Sequence, residues 1–264
     1  MFMHKLIARA WLAPVLFLAS AAQADTGSDW IAKLTPPPKS LADAQALCGD
    51  NAPRPRPWEK FHDDSQATQD KLEKAVQAKV QDPKYQQDMA MKSMEASMDP
   101  QSAMSQMQYS QYIAGLGSSS PDYVAQKTFD PIYQKAQADA TALLKAAWVK
   151  IGKCPKVPGG EDGPYPAPAC QKPIDADSAA KKNAIAGQYL ASVNKAWGPY
   201  VKGAQDYFQK LGLVPDGVDP KNMNVQMQRD NIPMQEIGSV QKMSEAAEQA
   251  CQHSIEIASL YVNP

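Results

Sequence analysis

Apolar residues recur along this chain at three- and four-residue spacing, and strand-type runs rich in Val, Ile and Thr are absent. That period marks helices that bury one face. The first long stripe is Trp58, Phe61, Ser65, Thr68, Leu72, Ala75, Val76, Lys79 and Val80, entered through Pro57. Proline suits a first helical turn, where its missing N–H has no partner anyway. Asp82-Pro83 and Asp99-Pro100 then interrupt the pattern, because a residue before proline avoids helical angles. They separate a stretch running to about Met98 from another running from Pro100 to about Ala114, closed by the segment "GLGSSSP".

Asp130 as cap and Pro131 in the first turn predict the start of the next helix. Its stripe is Phe129, Ile132, Tyr133, Ala136, Ala140, Leu143, Ala147 and Ile151, and Gly152 and Pro155 stop it. Asp175 or Asp177 caps the following helix. There the stripe is Ala186, Tyr189, Leu190, Val193, Trp197, Tyr200, Ala204, Tyr207, Phe208 and Leu211. Gly198-Pro199 in its middle predicts a kink or break. Residues 212–232 read as loop. The last helix, from about Pro233 to Tyr261, carries Ile237, Val240, Met243, Ala247, Ala250, Cys251, Ser254, Ala258 and Tyr261. With no repeat and no strand–helix alternation, residues 58–264 are expected to form an all-α fold. It should be a single helical bundle of about four long helices, some broken or kinked.

Residues 25–57 read as an N-terminal arm. Residues 25–39 look extended and end in Pro36-Pro37-Pro38. "SLADAQALCG" is a short helix, capped by Ser40 with Asp43 at its third position and stopped by Gly49. "NAPRPRP" is a proline-broken linker. Residues 1–24 have the form of an export signal. Lys5 and Arg9 lead an apolar core from Trp11 to Ala22, and Ala22-Gln23-Ala24 fits the cleavage rule. That core is shorter than the roughly 20 residues a bilayer span needs, and no other apolar run approaches the length. The expectation is a periplasmic or secreted protein starting at Asp25, with no membrane span after cleavage.

The four cysteines acquire meaning in that compartment, where an even count favours disulfides. Cys154–Cys170 would close the Pro/Gly-rich loop "CPKVPGGEDGPYPAPAC", and Cys48–Cys251 follows by elimination. Zinc is the competing reading, but no two cysteines lie within four residues of each other. The chain carries 27 basic and 28 acidic side chains, and losing Lys5 and Arg9 makes it slightly more acidic. Nothing in that balance draws it to nucleic acid. Only five Phe are present, so the core must rest on Ala, Leu, Met, Val, Tyr and Trp.

Candidate chemistry is sparse. After His4 leaves with the signal, only His62 and His253 remain. There is no zinc-helix His pair, nucleophile elbow, phosphate-binding glycine loop or haem motif. His62 precedes Asp63-Asp64, but helical neighbours point about 100° apart, so this is not a ready-made pair. His253 reads as a polar residue on the far side of its helix from Cys251. Glu161, Asp162 and Tyr165 could make a recognition loop or simply solvate one. Trp197 and Tyr200 flank the expected kink and could line a ligand pocket or fill the core.

The methionines leave two readings open. Met91, Met94 and Met98 share one helical sector and could offer three thioethers to Cu(I), although the same spacing makes a packing stripe. Beyond Pro100, Ala103, Met104, Met107, Gln111 and Ala114 share a face, and no charged residue occurs from Pro100 to Pro121. The expectation is a non-catalytic exported protein without a cofactor. It would bind a protein partner in the cell envelope, as an adaptor, inhibitor, immunity or chaperone-like factor, through Met104, Met107, Tyr109 and Tyr112. A copper site and a small-ligand pocket are the alternatives, and a hydrolase is the last.

Overall fold

A computed structural model describes residues 27–158 and 164–261 of the chain, with the side chains of 95–98 left out. The export signal, Asp25, Glu161, Asp162 and the Met98 side chain lie outside the described residues. The fold is all-α. In chain order the helices are α1 (Gly27–Ala32), α2 (Leu41–Cys48), α3 (Pro57–Gln81), α4 (Pro83–Met98), α5 (Pro100–Leu116), α6 (Pro121–Gly152), α7 (Pro168–Leu211), α8 (Met223–Asp230) and α9 (Ile232–Ser259). A two-stranded antiparallel ribbon, β1 (Lys156–Val157) with β2 (Tyr165–Pro166), sits between α6 and α7. Two disulfides brace the bundle, Cys48–Cys251 and Cys154–Cys170, the pairing expected from the sequence.

Local chemistry sets most boundaries. Ser40 and Asp43 form a reciprocal capping box at α2, which satisfies two N–H groups that the helix cannot. Asp82 and Asp99 end α3 and α4 and turn the chain into the next helix. Asp82 Oδ1 accepts from the Lys84 N–H and Asp99 Oδ1 from the Gln101 N–H.

Prolines are tolerated further inside helices than the sequence suggests. α6 starts at Pro121 under a Ser120 cap, not at Asp130-Pro131, and Pro131 lies within it. α7 starts at Pro168, well before Asp175, and runs unbroken through Pro173 and Pro199. An internal proline costs a helix about 3 kcal/mol. Here apolar residues on both sides of each bulkier break pack on one core: Val124, Phe129, Ile132 and Tyr133 around Pro131, and Val193, Trp197, Tyr200 and Ala204 around Pro199. Burying each large apolar side chain returns about 1.5–3 kcal/mol, so continuity wins. Two segments expected to lack helix also form one. Residues 27–32 are α1 rather than an extended arm, and α8 forms within 212–232.

α9 is the hub, touching α1, α2, α3, α6, α7 and α8. Its stripe of Ile237, Val240, Met243, Ala247, Ala250, Cys251 and Ser254 is buried. Trp58 and Phe61 of α3 and Leu190 and Val193 of α7 join the same core. The N-terminal arm is seated on this core. Trp30 meets Phe61 edge to face, with ring centroids 5.5 Å apart, and Asn194 donates to the Pro38 carbonyl. Gly27 fits between the Phe208 ring and Glu236, where its N–H donates to Glu236 Oε2 at 2.8 Å. A second, smaller core of Tyr109, Val218 and Val225 joins α5 to α8 and the loop before it.

Candidate functional site

α5 packs on α8 and the loop before it through one side. The side packed on the body is mixed: Tyr109 and Ile113 join the smaller core, and polar side chains bond beside them. Asn222 Nδ2 donates to the Ser102 carbonyl and hydroxyl, Asn224 to Gln106, and Gln228 to Ser110. Ser105 accepts from the Asp219 N–H. Hydrogen bonds to neutral partners therefore explain why α5 needs no charge on that side. The face of Ala103, Met104, Met107, Gln111 and Ala114 points to solvent, with Met104 54% and Met107 55% exposed. The two tyrosines are anchors rather than contacts for a partner. Tyr109 is fully buried, and the Tyr112 hydroxyl donates to the Lys210 carbonyl at 2.7 Å. On the adjoining α4, Met91 and Met94 are also more than half exposed.

Trp197 and Tyr200 fill the core, at 9% and 3% exposure. Phe129 lies against both, with centroid distances of 6.0 and 5.2 Å. Their burial follows from the unbroken helix, which opens no gap at Pro199. Tyr165 is exposed on the β-ribbon closed by Cys154–Cys170.

A groove runs between α6 and α9 with Tyr189 of α7 in its wall, enclosing about 240 Å³. The two helices are parallel here. Asp122 is close enough to Lys242 to raise its pKa, and eleven residues on, Tyr133 stacks on His253 with centroids 3.7 Å apart. Asp122, Asp130 and Glu245 line the groove together with the rings of Phe129, Tyr133 and Tyr189. Lys242 is paired with Glu245 at 2.8 Å. His253 Nδ1 lies 3.5 Å from the Tyr189 hydroxyl. Burial lowers the His253 pKa, against the opposing pull of Glu256 and Asp130. Burial pushes the Tyr133 phenol up to about 12, helped by its hydrogen bond to Glu256.

The sequence reading missed His253 because its angular distance from Cys251 suggested solvent. The missing information is that α6 covers that side of α9. The groove lining offers aromatic faces, the carboxylates of Asp122, Asp130 and Glu245, and the side chains of Lys242 and His253. His62 and Asp63 lie apart from it, on a second cavity between α3 and α9.

Among the described residues no three His, Cys, Asp or Glu side chains are grouped to hold a metal ion, and no helix is long and apolar enough to cross a membrane. The two disulfides fit an oxidising compartment outside the cytoplasm. The chain matches no family model, no curated protein and no solved structure.

Proposed function

We propose that this is an exported, non-catalytic binding protein that docks a partner protein in the periplasm or outside the cell through the outer face of α5. The supporting observation is that α5 turns Ser105 and Tyr109 inward and leaves Met104 and Met107 more than half exposed on its outer face. A soluble helix gains by burying its apolar face. Here the hydrogen bonds to α8 commit the other side. Thioether side chains adapt to irregular apolar surfaces. The partner should offer an uncharged apolar surface, because α5 has no charge to neutralise one.

A photo-crosslinking residue at 104 or 107, introduced in the producing cells, tests this. One discrete adduct is expected at both positions and none at exposed Val149. Met104→Leu/Met107→Leu should keep docking, whereas Met104→Glu/Met107→Glu should abolish it. Absence of an adduct, or an adduct equally strong at 149, overturns the proposal. A soft-metal role for Met91 and Met94 predicts the reverse for leucine: anaerobic Cu(I) binding lost in Met91→Leu/Met94→Leu, with crosslinking unchanged.

A further inference from the structure

Large apolar side chains reach solvent at several places in this fold, and their chemistry differs by place. Away from α4 and α5 they are mixed, with Val80, Val149, Leu213 and Tyr261 among them. On α4 and α5, among the described residues, they are all methionine: Met91, Met94, Met104 and Met107, each more than half exposed. Met243, on the hub helix α9, is wholly buried.

A surface that needed only apolar area could use Leu or Val, as positions 213 and 149 do. A thioether adds one property, a sulfur that takes up oxygen to become a polar sulfoxide. The two disulfides fit a compartment in which oxidants act. The seat of α5 does not involve its thioethers. Tyr109 and Ile113 pack in the smaller core, and the side chains of Asn222, Asn224 and Gln228 donate to Ser102, Gln106 and Ser110. An oxygen added to Met104 or Met107 therefore leaves the helix in place. The same oxygen on Met243 would overpack the core.

We propose that Met91, Met94, Met104 and Met107 are an oxidation site for a hypohalous acid, and that oxidation of the α5 pair blocks docking. In each step the sulfur lone pair attacks the oxygen of hypochlorous acid. An S–O bond forms, the O–Cl bond breaks, chloride leaves with the bonding pair and the hydroxyl proton passes to water. Sulfur is oxidised by two electrons and chlorine reduced to chloride. The product sulfoxide is polar, and sulfoxides disrupt methionine-rich interfaces. The block on docking rests on the reading of α5 given above; the oxidation site does not.

Peptide mass spectrometry of the isolated disulfide-bonded protein, titrated with hypochlorous acid, tests the site. The four sulfurs should gain oxygen first and Met243 last, with helical circular dichroism and Tm unchanged while only the four are oxidised. A photo-crosslinking residue at exposed Gln111 keeps both α5 methionines and tests the block. Treating the producing cells with hypochlorous acid before irradiation should lower adduct yield about tenfold or more, because each apolar side chain that no longer gains by burial forfeits about that factor. Met104→Leu/Met107→Leu should keep its adduct under the same treatment, which separates sulfur chemistry on α5 from damage to the partner. Oxidation of Met243 as early as the four, or loss of helix along with them, overturns the site. An adduct that survives oxidation in the parent, or falls equally in the leucine variant, overturns the block. Early oxidation of the four with no adduct even in untreated cells supports the site and instead refutes docking through α5.

Discussion

Removing the disulfides one at a time separates their contributions by the length of chain each closes. The sequence separations are 203 for Cys48–Cys251 and 16 for Cys154–Cys170. In the chain-entropy model these spans are worth about 5 and about 3 kcal/mol, because a longer loop removes more freedom from the unfolded chain. The native side adds to the difference. Cys48 and Cys251 are buried at 7% and 0% exposure, so Cys48→Ala/Cys251→Ala also opens a small cavity, worth about 1 kcal/mol. Cys154→Ala/Cys170→Ala affects a ribbon at the edge of the bundle. For a chain of this size, about 2–4 °C in Tm accompanies each kcal/mol. The 48/251 variant should therefore melt about 12–24 °C below the parent and the 154/170 variant about 6–12 °C. Guanidinium unfolding followed by both helical circular dichroism and tryptophan fluorescence measures the same difference. The two probes should coincide, because Trp30 and Trp58 belong to the common core. An equal or smaller loss for the 48/251 variant would refute the reasoning. So would an early separate step, which would mean that the arm detaches by itself.

Three further substitutions probe the packing and the groove. Gly27→Ala places a methyl 2.8 Å from the Phe208 ring and 2.9 Å from Glu236 Cβ; it should cost about 1–3 kcal/mol and reduce hydrogen-exchange protection in α1, and unchanged protection would show that α1 is not seated as described. Tyr200 has a buried hydroxyl without a partner, so Tyr200→Phe should be neutral or stabilising by up to about 1 kcal/mol on urea unfolding, whereas clear destabilisation would reveal a missing partner. For His253, the folded pKa lies below the usual 6.5 because of burial. Above pH 6.5 both states are neutral and the His253 contribution is fully present. As pH falls from 6.5 through the folded value, the unfolded chain takes up its proton first and stability is lost. His253→Phe, which keeps a ring over Tyr133, should flatten that part of the stability–pH curve, and an imidazole titrating at or above 6.5 by NMR would contradict it.

The pattern of apolar positions carried most of the fold. The buried residues of α7 and α9 are nearly the stripes that period predicts, and Asp-Pro pairs end α3 and α4 where a residue before proline leaves helical angles. What the pattern could not weigh was competition between local and tertiary terms. Pro131 and Pro199 read as boundaries because their cost is local and visible. The core contacts that outweigh them come from helices far away in sequence. α8 escaped for the same reason. Its single buried side chain, Val225, makes no stripe, and its order depends on Asn222 and on the partner surface of α5.

The sites show a sharper limit. Amphipathicity tells which side of a helix is apolar, and the usual step is to place that side inward. α5 defeats the step, because its inward side mixes Ser105 with Tyr109 and Ile113 while Met104 and Met107 face solvent. A sequence reader sees two faces and cannot see which one has neighbours. Ser244 presents the same problem in reverse. It sits on the buried flank of α9, where a serine ordinarily satisfies itself on its own helix. Only the packed structure reveals that its hydroxyl has no partner.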